Sequence, residues 1–218
     1  MQPRTTIAPL MALLVGCALF ASKISAADAP ARFANAAVVS QDKIASKVGA
    51  EILGRGGNAV DAAVATAFAL AVTHPAAGNI GGGGFLVFRS AQGEAVAYDF
   101  REMAPAKASA TMFLRNGRYD SELHHNSHVA AGVPGTVAGL HLAWKEQGKL
   151  AWRELVQPAI ALARDGLTVS DDLARSLKGT LPVLKKYPAS FAQFTRDGTP
   201  YRAGETLKQP DLARTLSR

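Results

Sequence analysis

The stretch HPAAGNIGGGGFLVFR, residues 74–89, sets four glycines between an apolar segment and a run with strand character. A phosphate loop needs a lysine and a hydroxyl directly after its glycines, because both neutralise phosphate charge. Phe85-Leu86-Val87-Phe88 follows instead, so that reading is poor. The dinucleotide-binding fingerprint runs strand, glycines, helix, with the pyrophosphate at the helix N-terminus. Here the order is helix, glycines, strand. A flexible Gly/Ser linker would lead into polar sequence rather than into a buried strand. What remains is close packing of backbones, and the flanking sequence must say around what.

Upstream, AAVVSQ at 36–41 is a short apolar strand candidate, and Ser40 or Asp42 can cap a helix beginning near Lys43. Ile44, Val48 and Ile52 recur every four residues along that helix, and GRGG at 54–57 stops it. Asn58 is a good N-cap for a second helix, and Asp61 falls three residues later, where a carboxylate reaches back to a free amide and favours the positive end of the helix dipole. From Ala59 to Val72 nearly every residue is Ala, Val, Phe or Leu. A helix apolar on all sides belongs inside a core, and its small side chains let neighbouring layers approach.

Downstream, FLVFRS at 85–90 and AVAYDF at 95–100 form a hairpin across the turn AQGE. The glycines deliver the chain into that sheet where side chains would not fit. RNGRYD and HHNSH mark loops within the polar 106–132 region, and helices are readable from Gly135 to Gln147 and from Trp152 to Asp165. FTRDGTPYRAGETL at 194–207 is a hairpin or loop around Asp197-Gly198. Pro210 suits a first helical turn, but LARTLSR continues it without a C-cap or polar tail, which predicts that the 218 residues are the front part of a longer protein.

Composition narrows the class. With 48% hydrophobic and 19% charged residues the chain is ordinary for a globular protein of one or at most two domains. Residues 1–27 have a basic start, an apolar run at 7–21 and the small residues Ser25-Ala26-Ala27, the pattern of a secretory signal cut near Ala27. The apolar run is shorter than the roughly 20 residues of a membrane span. LVGC at 14–17 offers a rival reading, lipoprotein processing at Cys17, although apolar ALFA follows where lipoproteins turn polar. Cys17 is the only cysteine, so the cleaved chain has none for a disulfide, a nucleophile or a thiolate metal site. Net charge is +7 for the whole chain and +5 after cleavage, spread without a dense cluster and with few interleaved aromatics, so no nucleic-acid partner is expected.

No complete catalytic set stands out. Arg101 is the best candidate, placed where the second strand ends between Asp99 and Glu102, because a guanidinium fork is the natural bidentate partner of a carboxylate. Two readings stay open for it: a surface arginine paired with its acidic neighbours, or a pocket rim, the latter favoured by the apolar Met103-Ala104-Pro105. His124 and His128 are spaced for an i, i+4 metal pair if helical, but polar loop sequence surrounds them and no third ligand is near. His74 fits a helix-end capping role, and Trp144, Trp152, Phe191 and Phe194 fit a core.

GGNAVDAAVATAFALAVTHPAAGNIGGGGF at 56–85, YDFREMAPAKA at 98–108 and VPGTVAGLHLAWKEQGKLAWRELVQPAIALARDGLTV at 133–169 together resemble the large-subunit portion of the gamma-glutamyltranspeptidases. The similarity runs from about residue 36 to residue 218, so that 28–218 is expected to be the N-terminal portion of that subunit, an incomplete domain. The resemblance implies a mixed α/β fold, the four-layer αββα arrangement of N-terminal-nucleophile hydrolases, made as one precursor that cleaves itself into large and small subunits. It implies a threonine nucleophile at the new N-terminus of the small subunit, whose own α-amine serves as base. That threonine attacks the γ-amide of glutathione or another γ-glutamyl compound, and the acyl group passes to water, an amino acid or a dipeptide. The resemblance further implies that the nucleophile and oxyanion donors lie outside these residues, that no metal or cofactor is required, and that Arg101 binds the α-carboxylate of the γ-glutamyl group. The glycines 81–84 then form a turn where helix and sheet layers meet. Two other functions compete: a related acylase cleaving glutaryl or cephalosporin side chains, and a non-catalytic periplasmic binding module. The isolated chain is expected to fold badly, with the apolar helix at 59–72 short of cover.

Overall fold

The structure, a computed structural model, describes residues 32–218. The chain divides into two units, residues 1–36 and 37–218, and every element below belongs to the second. The signal sequence and the Cys17 alternative lie outside the described residues.

Helix α1, Lys43–Gly54, starts at Asp42, whose carboxylate accepts from the amides of Ile44 at 2.9 Å and Ala45 at 3.0 Å. It buries Ala45, Val48, Gly49 and Ile52 against helix α2, Ala59–Thr73. Helix α2 is the buried axis of the fold, with Val60, Val64, Phe68 and Val72 among its enclosed residues. Its cover comes from within the chain, from α1 and from the later helices. The expectation that this helix lacks cover is therefore corrected: the exposed apolar residues lie elsewhere, Phe85 and Val87 of the hairpin among them.

The capping box at the start of α2 does more than end a helix. Asn58 Oδ1 accepts from the amides of Val60 and Asp61, and Asp61 Oδ2 accepts from the Asn58 amide at 2.9 Å. Asp61 is fully buried, and its carboxylate also accepts from the amides of Lys149, at 3.0 and 3.1 Å, and Leu150, at 3.3 and 3.4 Å. Asn58 Nδ2 donates to the Gln147 carbonyl. One box thus fixes both the helix and a turn almost 90 residues away.

Strands β1, Phe85–Arg89, and β2, Ala95–Asp99, pair antiparallel with Phe85 opposite Asp99 and Arg89 opposite Ala95. Leu86, Phe88 and Tyr98 face the core, whereas Phe85 and Val87 on the other face are 64% and 77% exposed. After the hairpin come β3, Leu114–Arg115, and β4, Arg118–Tyr119, and then the short helix α3, Ser121–Asn126, with a 3-10 turn at His128–Ala130. Helix α4, Thr136–Gln147, and helix α5, Trp152–Asp165, pack on α2, where Phe68, Trp152 and Trp144 meet with ring centroids 5.4 and 5.3 Å apart. Tyr98 donates to Glu146 Oε2 of α4 at 2.9 Å. Burial pushes the Tyr98 phenol above its ordinary value, and the Glu146 carboxylate acts in the same direction.

Strand β5, Leu167–Thr168, leads to helix α6, Asp171–Leu184, and helix α7, Pro188–Phe194. A small hairpin follows, β6, Thr195–Arg196, with β7, Thr199–Pro200. Asp197 and Gly198 both have positive φ in its turn, 51° and 78°. Strand β8, Thr206–Leu207, returns to pair with β5, and helix α8, Pro210–Leu216, packs on α5. The buried Gln209 ties this end to the core, donating from Nε2 to the Val72 carbonyl at 2.8 Å and from its amide to the Ala163 carbonyl at 2.7 Å.

Three readings change. Residues 36–41 form no strand, because no second strand lies beside them among the described residues, and Val39 is 88% exposed. RNGRYD forms the β3–β4 hairpin, with Asn116 and Gly117 at positive φ, and HHN belongs to α3 rather than to a loop. Helices α6 and α7 were not anticipated. The described residues are thus mixed helix and strand, with the β1–β2 hairpin lying against the helices.

Replacing Asp61 by alanine strands three backbone amides, so Asp61→Ala is expected to cost about 2–4 kcal/mol. A urea unfolding midpoint unchanged from the parent protein would refute that role.

Candidate functional site

Residues 100–103 continue from β2 into a crowded junction. On one side the ladder extends by a further pair, with the Phe100 amide donating to Gly84 at 3.0 Å and the Gly84 amide to Phe100 at 3.3 Å. On the other, Met103 and Val133 exchange backbone hydrogen bonds of 3.1 and 2.8 Å. The two flanks also join each other: the Gly82 carbonyl accepts from the amides of Gly135 at 2.8 Å and Thr136 at 3.0 Å.

Side chains are excluded where these backbones meet. A Cβ on Gly83 would lie 2.6 Å from the Phe100 carbonyl oxygen, 2.7 Å from the Glu102 nitrogen and 2.8 Å from the Arg101 Cα. One on Gly132 would lie 2.8 Å from the Glu102 Cβ, one on Gly135 would overlap the Phe100 carbonyl, and one on Gly139 would overlap the Phe100 ring. Within the glycine run it is Gly83 that packs on the backbone of residues 100–102 and Gly84 on the Phe100 ring, whereas a Cβ on Gly81 would meet nothing.

Arg101 stands at the centre of that junction. Phe85, Val87 and Asp99 share the outward face of the hairpin, Phe100 turns into the core, and the exposed Arg101 follows just past the strand end. Its amide donates to Asp99 Oδ1 at 3.1 Å. The side chain is exposed, and among the described residues no carboxylate pairs with its guanidinium; the ion pairs there use other arginines and one lysine. Asp99 and Glu102 flank it in sequence without neutralising it, so of the two open readings the paired surface arginine is not the one found. A guanidinium fork on a backbone packed and hydrogen-bonded on both sides, with no carboxylate paired to it among the described residues, is suited to a carboxylate ligand. Beside it, Glu102, Met103, Met112, Phe113 and His124 line a cavity of about 370 Å³.

The other candidates separate. His124 and His125 sit in α3 while His128 falls in the following 3-10 turn, so the i, i+4 pair is not on one helix. Tyr119 Oη bonds to His124 Nδ1 at 2.8 Å, and the His124 ring stacks on Phe113 at 4.3 Å. Among the described residues no group of three His, Cys, Asp or Glu is placed to hold a metal. His74 is the C-cap of α2 and donates its amide to the Leu70 carbonyl. Trp144, Trp152 and Phe194 pack against the core, and Phe191 is half-buried. Sequence reasoning missed Asn79 and Thr136. Their signal was faint, an asparagine just before a glycine run and a threonine just after Val-Pro-Gly, and only the fold brings them together at 2.8 Å.

The comparisons with known proteins converge. Residues 45–218 match the family model described as Gamma-glutamyltranspeptidase. The chain is 52% identical over 190 residues to a glutathione hydrolase proenzyme of Escherichia coli (strain K12), covering 86% of this chain and 33% of that protein. It is 43% identical over 218 residues to one from Pseudomonas sp. (strain A14), covering 99% of this chain and 38% of that protein. The crystal structure of Helicobacter pylori gamma-glutamyltranspeptidase superposes with a TM-score of 0.83 at 44% identity, over 87% of this chain and 55% of that one. A cephalosporin acylase from Bacillus halodurans shares the fold alone, with a TM-score of 0.71 at 24% identity, over 88% of this chain and 38% of that one. The chain thus spans about a third of the length of the curated relatives named. With the family model matched over most of the chain and the glycine junction around Arg101 in place, this chain belongs to the gamma-glutamyltranspeptidase family.

Proposed function

We propose that the full-length gene product is a gamma-glutamyltransferase and glutathione hydrolase, and that this chain contributes the arginine that binds its substrate. The observation that carries the reading is Arg101: a cation without a carboxylate partner among the described residues, on a backbone pinned from both sides. Family membership supports the chemistry. The substrate is glutathione or another γ-glutamyl compound, whose α-carboxylate Arg101 takes in a bidentate pair. A threonine at the N-terminus of a small subunit, cut from the same precursor, attacks the γ-amide carbonyl while its α-amine accepts the hydroxyl proton. That proton goes to the departing amine, leaving a γ-glutamyl ester on the threonine. Water, an amino acid or a dipeptide then takes the acyl group and frees the threonine.

The small subunit is proposed to sit on the hairpin. The outward face of the hairpin presents Phe85 and Val87 largely bare, an apolar surface next to Arg101 that suits a second sheet. Closing that sheet over Phe85 and Val87 encloses the ground beside Arg101, where the glutamyl group binds.

Arg101→Ala is expected to lower kcat/KM for a γ-glutamyl anilide by about 2–5 kcal/mol, the loss seen when a buried charge pair is broken. Arg101→Lys restores only part of it, since a lysine cannot make the fork. Unchanged kinetics in Arg101→Ala would exclude the role. A glutaryl anilide lacks the α-amine, so turnover of it equal to that of the γ-glutamyl anilide would move the protein to the acylases.

The protein is further proposed to be periplasmic or secreted, with its leader cut after Ala27, a reading that rests on residues 1–27. N-terminal sequencing of the exported protein is expected to begin at Asp28; acylation of Cys17 would establish the lipoprotein alternative instead.

A further inference from the structure

Arg101 is held through backbone, and the segments flanking that backbone are joined by side-chain as well as main-chain hydrogen bonds. Asn79 Oδ1 accepts two hydrogen bonds, from the Gly82 amide at 2.7 Å and from the Thr136 hydroxyl at 2.8 Å. Asn79 Nδ2 donates to the Ala77 carbonyl at 3.2 Å, which fixes the orientation of the amide. Thr136 is 7% exposed, and among the described residues Asn79 is the partner of its hydroxyl. The same two segments meet again where the Gly82 carbonyl accepts from the amides of Gly135 and Thr136. Segment 82–84 and segment 132–135 are the two walls that flank residues 100–103.

We infer that Asn79 and Thr136 are positioning residues for Arg101: their hydrogen bond locks the two walls together and so sets the register of the guanidinium against the substrate carboxylate. The inference rests on the carboxylate-binding role proposed above. Neither residue needs to touch substrate. Removing the Thr136 hydroxyl leaves Asn79 bonded to one wall alone, through the Gly82 amide, and removing Asn79 leaves both a buried hydroxyl and the Gly82 amide short of a partner; in either case the walls relax where Gly83 approaches the Arg101 Cα. A small displacement suffices, because a bidentate pair requires both nitrogens in place.

The test uses the full-length gene product and two donors, a γ-glutamyl anilide and the 4-aminobutyryl anilide that lacks only the α-carboxylate. Thr136→Val removes the hydroxyl and keeps the shape; Thr136→Ser keeps the hydroxyl. Thr136→Val is expected to raise KM for the γ-glutamyl donor roughly tenfold, the size of one lost hydrogen bond to a buried group, with kcat/KM for the 4-aminobutyryl donor unaltered. Thr136→Ser behaves as the parent. In an Arg101→Ala background Thr136→Val has no further effect, because both changes act through one contact. Asn79→Ala, at an exposed position, breaks the same bond independently should Thr136→Val prevent folding. Equal losses on both donors, or a Thr136→Val effect that adds in full to Arg101→Ala, overturn the inference. If Arg101→Ala itself fails to separate the donors, the carboxylate-binding reading falls and the clamp with it. If Arg101→Ala separates them and Thr136→Val leaves the γ-glutamyl KM unaltered, only the clamp falls.

Discussion

The constraint on which the rest depends is the absence of side chains where three backbones converge at Phe100, Arg101 and Glu102. Gly83, Gly132, Gly135 and Gly139 come from segments as far apart as the approach to β1 and helix α4, and at each the added Cβ would intrude on one or more of these three residues. A methyl group at such a point cannot be absorbed by rotating a side chain, because the obstacle at Gly83 and Gly135 is main chain. The closeness gives Arg101 its rigidity. An arginine on an ordinary loop would lose several rotors' worth of entropy on meeting a carboxylate; here the backbone share of that cost is met when the protein folds.

A second constraint holds the helical layer. A capping box is ordinarily worth about 1 kcal/mol, whereas a hydrogen bond to a buried charge is worth roughly 1.5–3 kcal/mol. Asp61 makes both kinds of contact, and the larger belongs to Lys149 and Leu150 rather than to its own helix. The turn between α4 and α5 is therefore organised by a carboxylate on α2. Gln209 repeats the device at the other end of α2, where a buried amide satisfies the Val72 carbonyl.

Much of this was legible in the sequence. The Asn58 cap, the all-apolar α2, the 85–89 and 95–99 hairpin and the start at Pro210 each follow from local rules, and each formed as read. Those rules see only neighbours within a few residues. The further duty of Asp61 was invisible because its partners lie almost 90 residues away. Helix α6 was readable in principle from Ser170, Asp171 and Asp172 ahead of Leu173 and Leu177, but Gly179 and Pro182 weaken its pattern. AAVVSQ has strand composition and no strand, since a ladder needs a second edge. For the candidate site, Arg101 was proposed from its strand-end position and family motif, while Asn79 and Thr136 carry no chemistry of their own to betray them.

The bare hairpin face has an electrostatic consequence. Phe85 and Val87 share the outward side of the sheet with Asp99, two residues before Arg101, so on the proposed assembly a cover over them that reaches past the strand end also strips water from around the guanidinium. Two unit charges 4 Å apart attract by about 1 kcal/mol in bulk water and by about 4 kcal/mol at the effective dielectric constant of a protein surface. On the proposed assembly, joining the two sheets is thus also the step that gives Arg101 its strength, and an unassembled chain holds the right residue in the wrong medium. Recognition and assembly become one equilibrium, with substrate carboxylate and apolar cover each raising the affinity for the other.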